Sequence, residues 1–190
     1  MGEKANWKRN RKKCRKIDKS TRTSSNYKKT KAKIKKLFET KKAVKCSEIL
    51  STMSLSPHFI GCFSQDTLSK LELCYPCFLM VNIDSTSQQG SHWLALKLDE
   101  KQLEIFDPLG FEFFNWKSVS CQLLEFIHRH SIDKKLLISP RIQSDLSILC
   151  ALYCCFFIFY RNFNSFDRLC LLFSSNLDEN DERLKLLLDV

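Results

Sequence analysis

The 190 residues, 44% hydrophobic and 12% aromatic, are enough for one folded domain of ordinary size and too few for several. The formal net charge of +10 hides a division: residues 1–45 hold 19 Lys/Arg and three acids, a net of +16, whereas residues 46–190 hold 12 basic and 18 acidic residues, a net of −6. No apolar run follows the basic start, so secretion by a leader is not expected. The longest apolar stretch, residues 146–160, is shorter than the roughly 18 residues of a membrane span, so it is expected to be a buried helix, with no membrane partner.

Residues 1–45 contain two basic runs, 8–16 and 28–36, which repel themselves and bury little. A disordered tail is expected, with a polyanionic partner: DNA held through phosphate contacts, or the nuclear import machinery. Trp7, Tyr27 and Phe38 are too sparse to stack successive bases. From Cys46 the pattern becomes globular, which places a folded domain at 46–190. Ser47 is the expected N-cap of a short helix through Ile49, Leu50 and Met53, ended at Ser56 and Pro57.

Residues 77–83 are a continuous apolar run and predict a buried strand, followed by turn formers. Residues 92–98 alternate, with Leu94, Leu96 and Leu98 on one side, and residues 102–106 form a third strand before the turn at 107–110. A helix is expected from Asn115 or Trp116 to His130, with His128 and His130 complementing its C-terminal dipole. A strand over 136–142 and an amphipathic helix over 178–190 complete an α+β order with a central hairpin. The ten cysteines are scattered and include the adjacent Cys154 and Cys155, which favours reduced thiols over a disulfide scaffold. Cys74 and Cys77 form a CxxC with no second pair and no suitably spaced histidines, so no metal is expected.

The hairpin brings two titratable residues together. If its turn is centred between Asp99 and Glu100, paired residue numbers sum to 199, and His92 faces Asp107 on one side of the sheet. Cys150 falls near the start of the apolar helix, where Asp145 or Ser147 offers a cap and unpaired N–H groups stabilise a thiolate. Cys154, Cys155 and Cys170, set deeper in the apolar surroundings, are expected to be inert packing thiols. Gln143, in the loop leading to Cys150, offers a side-chain N–H, and the Cys150 backbone N–H a second. Nucleophile, base, orienting acid and oxyanion donors are the parts of covalent acyl transfer.

Four blocks resemble a known family: Phe59-Ile60-Gly61-Cys62-Phe63; Gly90-Ser91-His92-Trp93; Phe106-Asp107-Pro108-Leu109-Gly110-Phe111; and Gln143 seven residues before Cys150, with Cys154 and Cys155 after it. In this order they are similar to the adenovirus protease (adenain) family of cysteine endopeptidases, as found in adenovirus-like viruses and virus-like DNA transposons. The resemblance implies a papain-like core, of the type shared with ubiquitin-like-protein proteases, in which a mixed sheet is flanked by helices and the catalytic cysteine starts a buried helix. By motif position His92 is the base, Asp107 its orienting acid, Cys150 the nucleophile and Gln143 the oxyanion donor. The resemblance further implies cleavage of viral structural precursors at Gly-containing sites, with stimulation by DNA and by a short peptide; no metal or organic cofactor is expected, and a monomer is expected in the nucleus, towards which the basic runs point, and in the virion. Asp107 stands where adenoviral members typically have Glu, and Ala151 where Gly usually follows the nucleophile, so its Cβ is expected to crowd the site. Two alternatives are a protease that removes ubiquitin-like modifiers and a DNA-binding structural protein on a degenerate protease fold.

Overall fold

The structure, a computed structural model, describes residues 24–40, 42–88, 90–111 and 121–189. Five strands form one mixed sheet in the order β1 to β5: β1 (Phe59–Ser64), β2 (Cys77–Asn82), β3 (Trp93–Leu98), β4 (Gln102–Phe106) and β5 (Lys135–Ile138). The outer pairs β1/β2 and β4/β5 are parallel, and the inner pairs are antiparallel. The helices are α1 (Ser24–Glu39), α2 (Cys46–Met53), α3 (Cys121–Ser131), α4 (Cys150–Tyr160), α5 (Phe166–Cys170) and α6 (Asn180–Asp189).

Alternation along the strands divides the core into two layers. Leu79, Val81, Leu94, Leu96, Leu103 and Ile105 pack towards Leu123, Phe126 and Ile127 of α3. Phe78, Met80, Ala95 and Phe106 face the other way, onto α4, which is apolar on every side and buried from Cys150 to Phe159. Phe157 of α4 stacks on Phe106 with ring centroids 4.5 Å apart. A helix hydrophobic all round must be enclosed, and α1, α2 and α6 close over it. Among the described residues no helix is long and apolar enough to cross a membrane.

The charge division at residue 45 does not coincide with the packing. Residues 24–39, expected to be disordered, form α1, whose Thr30 and Ile34 are buried while its lysines face outwards. Tyr27 packs on Phe159 at 4.6 Å, and Lys35 pairs with Asp189 of α6 at 2.7 Å. Mean charge concealed a helical apolar stripe, Tyr27, Thr30, Ile34 and Leu37, that is sufficient to dock one face. Residues 1–23, with the first basic run and Trp7, lie outside the described residues.

Other boundaries shift for local reasons. The N-cap of α2 is Lys45 instead of Ser47, and Glu48 reaches back to accept from the Lys45 N–H at 2.9 Å. The expected 115–130 helix is described only as α3; Asn115, Trp116 and Val119 lie outside the described residues. His130 lies in the last turn of α3 as expected, but burial first, then Arg129 and Lys134, lower its pKa, and its Nδ1 bonds the Tyr75 hydroxyl at 2.9 Å. The strand expected over 136–142 stops at Ile138, because Ile142 and Gln143 turn to donate to the Pro108 carbonyl. The final helix starts at Asn180, after a short turn. Cys74 is disulfide-bonded, against the expectation of reduced thiols throughout; among the described residues eight other cysteines are free.

Candidate active site

The hairpin turn is centred one residue later than the sequence suggests. Ala95 pairs with Phe106 and Leu98 with Leu103, so pair numbers sum to 201. The Asp99 carboxylate selects this register by accepting from the N–H groups of Lys101 and Gln102, both at 2.9 Å. A shift of two in the sum keeps every side chain on its face. His92 and Asp107 therefore meet diagonally, beyond the ends of β3 and β4, instead of directly opposed. His92 Nε2–H donates to Asp107 Oδ1 at 2.7 Å.

Asp107 is fully buried and rigidly framed. Its N–H donates to Ser139 Oγ and its carbonyl accepts from the same hydroxyl, both at 2.9 Å, while Oδ1 also accepts from the Leu109 N–H at 3.0 Å. Gly110 closes this turn with φ +82, and a Cβ there would stand 2.9 Å from the Arg141 Cβ, so the position requires glycine. Oδ2 of Asp107 finds no hydrogen-bond partner among the described residues.

Cys150 is the first residue of α4, and its side chain interacts with the His92 imidazole on top of the Asp107 contact. The thiol, imidazole and carboxylate thus form one chain. Burial lowers the His92 pKa, but the hydrogen bonds and charges of Asp107 and Cys150 outweigh it and push the value up to about 9. Neither expected cap serves α4: Leu149 holds the cap position without a side-chain acceptor, and Asp145 pairs with Arg141 at 2.6 Å. The first N–H groups of α4 therefore stay at the end where Cys150 sits, the arrangement that favours an anion.

The other thiols differ in kind. Burial raises Cys154 strongly and pushes Cys155 up to about 12 and Cys170 to about 11. Cys154 donates from Sγ to the Trp93 carbonyl at 3.3 Å, binding α4 to the residue after His92. Ala151 is packed in the core cluster and is 1% exposed. Among the described residues no group of His, Cys, Asp or Glu is arranged to hold a metal ion.

Gln143 is buried and fastened on two sides. Its N–H donates to the Pro108 carbonyl at 2.8 Å, next to Asp107. Its Nε2 donates to the Ser147 carbonyl at 2.8 Å and to Ser147 Oγ at 3.2 Å, and its Oε1 has no partner among the described residues. Ser139 frames the acid through its hydroxyl, and Ser147 and Pro108 frame the glutamine through a hydroxyl and two carbonyls; sequence reasoning gave none of the three this part, because it depends on how the fold brings distant segments together.

Comparison with known proteins places these residues in a family. The model of the adenovirus endoprotease family matches residues 59–178, which contain all four. A frog adenovirus 1 protein named protease is 27% identical over 119 residues, 58% of each chain, and one from bovine adenovirus 2 is 26% identical over 122 residues, again 58% of each. A third, from bovine adenovirus 7, is 28% identical over 125 residues, 58% of this chain and 59% of its own. The chain thus spans less than two thirds of the length of these relatives.

Proposed function

The chain belongs to the adenovirus endoprotease family, and on that premise we propose that it is a cysteine endopeptidase of papain-like construction. The observation that carries the proposal is the buried chain from Asp107 through His92 to Cys150 at the start of α4.

In this mechanism His92 Nδ1 takes the thiol proton and the Cys150 thiolate attacks the scissile carbonyl carbon. Charge moves onto the carbonyl oxygen, where the Cys150 backbone N–H and the Gln143 amide stabilise it. The imidazolium, held in orientation by Asp107, then gives its proton to the leaving amine. Water activated by His92 hydrolyses the thioester and returns the thiol. The packed environment of Ala151 supports a Cβ taken up by the core, with the nucleophile's role intact.

As substrates we propose structural precursor proteins of a virus or virus-like element, cut at Gly-containing sites. The +16 charge of residues 1–45 supports DNA as a partner that concentrates the enzyme on packaged precursors, in the nucleus and virion.

Alkylation with limiting iodoacetamide near pH 6, mapped on the native full chain with and without duplex DNA, tests the assignment. Labelling confined to Cys150, and lost in His92→Ala, is the expected result. Equal labelling of Cys150 and the exposed Cys121 in both conditions would overturn it in favour of a DNA-binding protein on an inactive fold.

A further inference from the structure

The C-terminal helix supplies two side chains to the loop between Gln143 and Cys150. Asn180, fully buried at the start of α6, donates from Nδ2 to the Ile142 carbonyl at 2.8 Å. Asp181 Oδ1 accepts from Ser147 Oγ at 2.9 Å and from the Tyr153 hydroxyl at 2.8 Å. Ser147 is the residue to which Gln143 donates, and Tyr153 lies one turn beyond Cys150 on α4. One carboxylate oxygen thus joins the support of the side-chain oxyanion donor to the helix that bears the backbone donor.

We infer that Asp181 is a positioning residue for the oxyanion site: through Ser147 it aims the Gln143 amide, and through Tyr153 it fixes that amide relative to α4. This rests on the proposed cysteine-protease chemistry. The Ser147 hydroxyl has one proton, and Asp181 takes it. The hydroxyl oxygen is therefore turned towards Gln143 and the Leu149 N–H, from which it accepts at 3.2 and 3.3 Å. Asp181 has no direct contact with Gln143 and is not a proton-transfer group; it acts by holding a geometry. Burial, then Asp181, raises the Tyr153 pKa, so this phenol stays a donor throughout the working pH range.

The test compares the wild-type full chain with Asp181→Ala, Asp181→Asn and Ser147→Ala, with duplex DNA present. Three quantities are measured: kcat and KM on a peptidyl-Gly-Gly coumarin amide, affinity for the same peptide ending in an aldehyde, and the alkylation rate of Cys150 by iodoacetamide. Cleavage and aldehyde capture both develop charge on oxygen, whereas alkylation does not. Asp181→Ala and Ser147→Ala should lower kcat and aldehyde affinity about 10-fold, with KM and the alkylation rate within about two-fold of wild type. Asp181→Asn keeps an oxygen acceptor and should recover most of the loss. If Asp181→Ala does not fold, Ser147→Ala carries the same expectation, because it removes only the hydroxyl link. Unchanged kcat and aldehyde affinity, or a parallel fall in alkylation that marks general collapse of the site, would overturn the inference while leaving the protease assignment standing. A wild-type chain that neither captures the aldehyde nor alkylates preferentially at Cys150 would remove that assignment, and this inference with it.

Discussion

Two carboxylates at the end of one hairpin, Glu104 and Asp107, are both 0% exposed, yet their surroundings are opposite. Glu104 is saturated by permanent cations and amides: Arg161 donates to both oxygens at 2.7 Å, Lys97 adds a bond at 2.9 Å, and Gln102 a further one. Asp107 receives a titratable imidazole on one oxygen and leaves the other unpaired among the described residues. The first arrangement welds β3, β4 and the end of α4 together. The second spends its field on one proton, which is what acid–base work requires.

Substitutions should separate the two carboxylates cleanly. The largest effect on activity is expected from His92→Ala or Cys150→Ala, which should cut kcat/KM by at least about 10³-fold in a peptide-cleavage assay with the folded state retained. Asp107→Asn should cost less, about 10- to 100-fold, because the base remains but is poorly oriented; a loss exceeding that of His92→Ala would contradict the division of roles. Glu104→Gln should do the reverse. Arg161, 15% exposed, loses its counter-charge and Lys97, 12% exposed, keeps only Asp99, so denaturant unfolding should report a loss of about 3 kcal/mol, with kcat per folded molecule near wild type.

A smaller effect follows from the imidazole itself. Its pKa is raised from 6.5 to about 9 on folding, so the folded state binds the proton more tightly. The resulting stability is whole below pH 6.5 and lost as pH rises to 9, so Tm should fall across that window and the slope should flatten in His92→Ala. The smallest change is expected for Ala151→Gly: a loss of stability of about 1 kcal/mol or less from helix propensity, and no gain in kcat.

Short-range patterns made much of this molecule legible. The strands at 77–82, 93–98 and 102–106 follow from alternation and apolar runs, and the mixed α+β order follows from their spacing. His92, Asp107, Gln143 and Cys150 could be named because a hairpin and a helix start restrict where chain neighbours point. The register error was harmless only because it was even. What escaped the sequence depends on distant partners or on averages. The α1 stripe vanished beneath a run of lysines, and Leu149 replaced the polar caps because Ser147 and Asp145 were claimed by Asp181 and Arg141. Asp181 itself is one acid among many on an amphipathic helix until the fold carries it to Ser147.

The hold of α6 on the loop before Cys150 also orders events in time. A ribosome delivers the chain from its amino end, so His92, Asp107 and Cys150 all emerge before residues 180 and 181. Until those two arrive, the Ile142 carbonyl and the Ser147 hydroxyl lack their partners on α6. On the proposed protease reading, the site therefore gains its supports from α6 only after the residues that would act in it, and the oxyanion donor is held in place last.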